Sequence, residues 1–181
     1  MGRRQMRLAC GGIWVVAVIL CASVAAQAKT HSVGPNGDWC GKINGASPGD
    51  TVEMKPGDYS DTCFIRAKGK PSQRIVVESA DPTPGNRAKF QYQGASSNVI
   101  DIVDGASYIT LKNLIFMETK DAIDAIKIKG AHHIRVESCT FRKIGGIAIS
   151  ANGSYPTPKS DIEVIDSEFR DLEATGMYFG C

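Results

Sequence analysis

The chain has 181 residues, 43% of them hydrophobic and 22% charged, with a formal net charge of +2. That charge is too small to imply a nucleic-acid partner or an anionic membrane surface. The six cysteines contain no C-x-x-C pair and no histidine spacing suited to zinc.

The first residues read as a secretory leader. Arg3, Arg4 and Arg7 form a basic start, an apolar run goes from Ile13 through Ala22, and Ala26-Gln27-Ala28 has the small residues of a cleavage site. The run is short against the roughly 20 apolar residues of a spanning helix, so no membrane span is expected. Residues 1–28 are therefore the expected signal peptide, and the mature chain starts near Lys29 in a secreted or periplasmic setting. Of the cysteines left, Cys40 and Cys63 are the expected disulfide, tying the entry segment to the first strands. Cys139 is expected as a buried free thiol, and Cys181 is the last residue.

Lys29 to Val33 reads as a short strand, and Gly34-Pro35-Asn36-Gly37 as a turn. Asp38 is a fair N-cap for a brief helix with Trp39, Cys40 and Ile43 on one side, ended by Gly45. Short alternating strands and Pro-Gly turns follow: Thr51-Val52-Glu53-Met54, Cys63-Phe64-Ile65, Arg74 to Ser79, Lys89 to Tyr92 and Asn98 to Val103.

Three passes over one pattern come next: Tyr108-Ile109-Thr110-Leu111 to Phe116, His133-Ile134-Arg135-Val136 to Phe141, and Asp161-Ile162-Glu163-Val164 to Phe169. The phenylalanines recur at intervals of 25 and 28 residues, and the longer interval contains the turn-rich insertion 152–158. Such a period, with period-2 alternation inside each unit, marks a β-solenoid. Stacking the passes predicts inward columns Ile109/Ile134/Ile162, Leu111/Val136/Val164 and Phe116/Phe141/Phe169. Asn113, Ser138 and Asp166 fall together at a bend. Arg135 with Glu163, and Lys112 with Glu137, are expected to be neighbours across coils, with a structural role.

A second ladder follows each phenylalanine: Ile126-Lys127-Ile128-Lys129, Ile147-Ala148-Ile149-Ser150 and Met177-Tyr178-Phe179-Gly180. Its outward residues are Lys127 and Lys129, the small Ala148 and Ser150, then Tyr178 and Gly180. Lys127, Lys129 and Tyr178 are the candidate substrate-binding residues. Lysines offset a uronate carboxylate, and a lysine or tyrosine can act as base in β-elimination. Asp121 and Asp124 fall well short of the six to eight oxygens of a calcium site. His132 and His133 lack a helical metal spacing and read as loop residues.

Pro48-Gly49-Asp50-Thr51-Val52, then Pro56-Gly57-Asp58-Tyr59 and Ile75-Val76-Val77-Glu78, resemble the opening of right-handed parallel β-helix proteins of the pectin-lyase type. They are similar in particular to the entry of the alginate lyase and chondroitinase B group. The resemblance covers nearly all of the mature chain, and its motifs speak to fold more than to activity. It implies an all-β, right-handed parallel β-helix of about five coils with a short N-terminal capping helix. Residues 29–70 would be the cap and first strands, and 71–181 the coils. In that group the catalytic Lys and Arg and the calcium-binding acids belong to later coils, and no Asn…Glu-x-Glu…Lys…Arg series is found here. The resemblance thus implies the N-terminal part of a longer protein, with calcium a cofactor of the full-length form and the catalytic residues not assigned. Two readings stay open: a lyase or epimerase on an anionic polysaccharide, and a non-catalytic extracellular protein that binds glycan or protein.

Overall fold

The computed structural model describes residues 27–152 and 161–180. The expected leader, apart from its last two residues, most of the 152–158 insertion, and Cys181 lie outside the described residues. After β1 (Thr30–Val33) and α1 (Trp39–Asn44), fifteen strands follow in five sets of three. They are β2 (Thr51–Met54), β3 (Gly57–Tyr59) and β4 (Cys63–Ile65); β5 (Ile75–Ser79), β6 (Ala88–Phe90) and β7 (Ile100–Val103); β8 (Ser107–Lys112), β9 (Ile115–Met117) and β10 (Ile126–Lys129); β11 (His132–Glu137), β12 (Thr140–Arg142) and β13 (Ile149–Asn152); and β14 (Ile162–Ile165), β15 (Glu168–Arg170) and β16 (Met177–Gly180).

Each set is one coil. The first strands of the coils make one sheet in the order β1-β2-β5-β8-β11-β14, the second strands make β3-β6-β9-β12-β15, and the third strands make β4-β7-β10-β13-β16. Every one of these pairings is parallel. The fold is a parallel β-helix of five coils, with three sheets wrapped around one apolar core.

The predicted columns form as read. Ile109, Ile134 and Ile162 pair in register, as do Leu111, Val136 and Val164. Phe116 and Phe141 stack at 5.1 Å between ring centroids, and Phe141 and Phe169 at 4.9 Å. The aromatic column runs further than the repeats suggest, since Phe90 stacks on Phe116 and Tyr59 on Phe90. Trp39 of α1 meets Tyr59 and Phe90 edge-on and covers the N-terminal end of this column.

Helix α1 is set as expected. The Asp38 carboxylate accepts from the Gly41 N–H, Trp39 and Ile43 are buried, and Gly45 ends the helix. Cys40 and Cys63 form the expected disulfide, and Cys139 is a buried free thiol. Asn113, Ser138 and Asp166 all have φ near +50°. Asn and Asp tolerate this left-handed turn better than most residues. The N–H groups of Asn113 and Ser138 donate to carbonyls of the next coil, Glu137 and Ile165, so the bend continues the ladder rather than breaking it.

One expected register is corrected. The outward residue beside Lys127 is Ser150, because β13 starts at Ile149 and pairs Ile126 with Ile149. Ala148, expected outward, is fully buried. Residues 145–148 are used in the turn. Ile147 N–H donates to the Asp124 carboxylate, Gly145 N–H to the Thr119 hydroxyl, and Gly146 N–H to the Ile123 carbonyl.

Candidate functional site

The outer face of the third sheet carries the three residues singled out from the sequence. Parallel register lines up Phe64, Asp101, Lys127, Ser150 and Tyr178 in one outward row. Lys129 lies in the neighbouring row, beside Val103. Alternation requires this: Ile126 and Ile128 point into the core, so Lys127 and Lys129 point out. Lys129 and Tyr178 are exposed, while Lys127 is half-buried.

Lys127 is not a free cation. Its ammonium lies 3.5 Å from the Asp124 carboxylate, which also accepts the Ser150 hydroxyl at 2.6 Å and the Ile147 N–H at 2.8 Å. Asp101, next to Lys127 in the row, accepts from the Asn98 amide and the Ser97 hydroxyl. Ser150 and Asp124 are covered, so the centre of the strip is a hydrogen-bonded polar floor and not an open groove. Asp121 is exposed and Asp124 buried, so they do not face a shared ion. Among the described residues no group of three or more His, Cys, Asp or Glu is placed to hold a metal.

A second cluster lies on the outer face of the first sheet, where the sequence reading expected only loop residues and cross-coil ion pairs. The ion pairs are present: Arg135 to Glu163 at 2.6 Å and Lys112 to Glu137 at 2.8 Å. Arg135 holds the Glu163 carboxyl below its ordinary range, and Glu137 raises the Lys112 ammonium. Beside them the His133 ring stacks on Tyr108 at 4.3 Å. Its Nε2 lies 3.0 Å from the Asp161 carboxylate and 3.5 Å from the Tyr108 hydroxyl, while its Nδ1 is 2.6 Å from His132 Nδ1. Arg74 runs underneath, donating to the Ile109 and His133 carbonyls and to the Thr110 hydroxyl. Burial, then the nearby Arg135, lowers its pKa.

This cluster gathers a tyrosine hydroxyl, a second imidazole and a carboxylate around the His133 ring. Its arginines are committed to backbone carbonyls and to Glu163, which leaves them poorly placed to receive a substrate carboxylate. Its signal was present in the repeats: Tyr108, His133 and Asp161 each open a pass and therefore share a column.

No protein-family model and no curated protein matches this chain. Among solved structures the chain is similar to an alginate lyase from Paenibacillus sp. str. FPU-7, with a TM-score of 0.51 and 14% sequence identity over 78% of this chain. The match covers 58% of that protein's chain. At this identity the likeness is one of fold, and the fold is the parallel β-helix described above. Among the described residues no helix is long and apolar enough to cross a membrane.

Proposed function

We propose that this is a secreted parallel β-helix protein that binds an anionic polysaccharide on the outer face of its third sheet, in the lyase or epimerase class. The observation that carries the reading is the register of that sheet. It lines Lys127 and Tyr178 along one row, with Lys129 beside them, and the opposite sides of β10 and β13 are locked into the core. In this reading Lys129 and Lys127 offset a uronate carboxylate, and the Tyr178 oxygen, as phenolate, takes the proton α to it while the β C–O glycosidic bond breaks, the leaving oxygen is protonated and an unsaturated uronate remains. The fold shared with an alginate lyase, an enzyme on a uronate polymer, supports the substrate class. The Cys40–Cys63 disulfide supports an oxidising compartment and so the reading of residues 1–28 as a leader. Residues 29–70 then serve as cap and first strands, which make up the first coil, and 71–181 as the coils that follow.

The test is an ultraviolet assay for unsaturated uronate on alginate, pectate and chondroitin sulfate, with and without calcium. New absorbance on one polymer, reduced in Lys129→Ala and Tyr178→Phe, would establish elimination at this face. Absorbance unchanged in both variants would move the chemistry elsewhere.

A second reading, binding without catalysis, is favoured by one contact. The Lys127 ammonium is paired with the Asp124 carboxylate at 3.5 Å, which suits a binding cation better than a base. Retention of the protein on an immobilised polyuronate, without turnover, would decide for it.

A further inference from the structure

The first coil adds two residues to this face, Phe64 in β4 and Arg66 just after it. In β4, Cys63 and Ile65 point into the core and are fully covered, while Phe64 points out and is 43% exposed. Arg66 follows, exposed, with its guanidinium 5.6 Å from the centre of the Phe64 ring.

Three ties from α1 hold this pair in place. The Asn44 amide donates to the Phe64 carbonyl at 2.9 Å, its oxygen accepts the Arg66 N–H at 2.7 Å, and the disulfide joins Cys40 to Cys63. Much of the Phe64 ring stays in water, yet its backbone is fixed on both sides.

The register then matters. Phe64 opens the row that continues through Asp101, Lys127 and Ser150 to Tyr178. At about 4.8 Å per coil, the two exposed rings stand roughly 19 Å apart along the helix axis. Arg66 follows Ile65, whose partner is Ile102, and the next residue there, Val103, pairs with Lys129. Lys127 is balanced by Asp124, whereas among the described residues neither Arg66 nor Lys129 has a carboxylate in ion-pair contact. The positive charge of the face that no carboxylate pairs therefore lies at Arg66 and Lys129, while the Asp101 carboxylate between Phe64 and Lys127 is covered and held by the Asn98 amide and the Ser97 hydroxyl.

We propose that Phe64 and Arg66 form a distal subsite for one uronate unit of an anionic glycan lying along the coils of the third sheet. The apolar face of the sugar rests on the Phe64 ring, and its carboxylate takes the planar Arg66 fork. Lys129 holds a carboxylate nearer the middle, and Tyr178 bounds the far end. The assignment rests on the proposed binding face and extends it by a full row of coils.

Calorimetric titration of the protein with alginate and pectate octasaccharides tests it. Phe64→Ala and Arg66→Ala should each weaken binding of the preferred octasaccharide about tenfold, with melting temperature unchanged. Phe64→Tyr keeps the platform and should bind as the parent does. A mutation-independent readout is protection of Arg66 from phenylglyoxal by the bound octasaccharide, followed by peptide mass spectrometry. Loss of affinity in Lys129→Ala and Tyr178→Ala, with full affinity in both first-coil variants and no protection of Arg66, overturns the subsite while leaving the binding face. Absence of binding by the unmodified protein to either octasaccharide overturns both.

Discussion

The rings of Tyr108 and His133 lie 4.3 Å apart and 24° from parallel, on successive coils, and both residues have positive φ, 52° and 56°. Bulky residues avoid this region because Cβ crowds the following carbonyl, at a cost of roughly 1–2 kcal/mol. The stack, the Asp161 contact and the Arg74 bond to the His133 carbonyl hold His133 there. His133→Asn keeps a residue that tolerates the turn and loses the stack, while His133→Val loses the stack and adds a β-branched clash. Urea melts should rank parent above Asn above Val, with Val lower than Asn by about 1 kcal/mol. Equal stability of the two variants would mean that the turn is not held in this conformation.

Asp50 gives the fold an acid limit. Its carboxylate accepts the Ser47 and Lys29 N–H groups at 3.0 and 2.8 Å and contacts His31 at 3.0 Å, and these contacts pull its pKa from 3.8 to about 2. A depressed carboxyl contributes stability above its unfolded pKa and loses it as pH falls through its folded one. The contribution should be full above about pH 4 and gone near pH 2. The shift corresponds to on the order of 2 kcal/mol. Asp50→Asn should lower the melting temperature at neutral pH and flatten the acid limb. A variant with the parent's full pH dependence would place that limb in other carboxylates.

The columns were legible in the sequence because three coils repeat their apolar alternation with little change in length. Tyr59 and Phe90 were missed as members of the aromatic column: Phe90 keeps the spacing, 26 residues before Phe116, but the loop at 80–87 separates it from the apolar pair of its own coil, Ile75 and Val77, and Tyr59 stands 31 residues before it. The slip in β13 has a different cause. Ile147-Ala148-Ile149 offers two frames of the same alternation, and the Asp124 side chain, from the preceding coil, selects between them. The same carboxylate compensates Lys127, so one distant contact altered both the register and the electrostatics of the candidate strip. Phe64 and Arg66 joined that face only when β4 was laid against β7, a pairing that crosses an entire coil of sequence.

Removing the disulfide should loosen the first coil. Cys40 and Cys63 are 23 residues apart, a loop whose closure is worth about 3 kcal/mol in the chain-entropy account. A Cys40→Ser/Cys63→Ser double variant should melt lower by that amount while the Asn44 bonds keep β4 in register. Hydrogen exchange should rise in α1 and β4 before it rises in β11. Uniform loss of protection along the chain would show that the cap and coils unfold as one unit.

Cys139 should be inert in the native protein. It is buried between Leu114 and the turn at Glu137, and burial pushes its thiol up to about 12. Since the thiolate is the reactive form, iodoacetamide at neutral pH should leave the Cys139 peptide unmodified until denaturant is added. Labelling without denaturant would mean that the fourth coil opens locally.

The most severe substitution should be in the aromatic column. Phe141 is fully buried with a ring on each side, Phe116 at 5.1 Å and Phe169 at 4.9 Å. Phe141→Ala should cost about 3–5 kcal/mol, because neighbours fixed by three sheets collapse only partly into the space. Phe141→Asp adds a carboxylate with no donor in reach, which must take up a proton or break the stack, so it should abolish cooperative unfolding at neutral pH. Phe141→Leu fills most of the volume and should fall between the parent and Ala. Thermal melts followed by far-ultraviolet circular dichroism rank the three variants. An unchanged melt for Phe141→Asp would put residue 141 on the outside of its sheet and, with it, undo the register of every coil aligned to it.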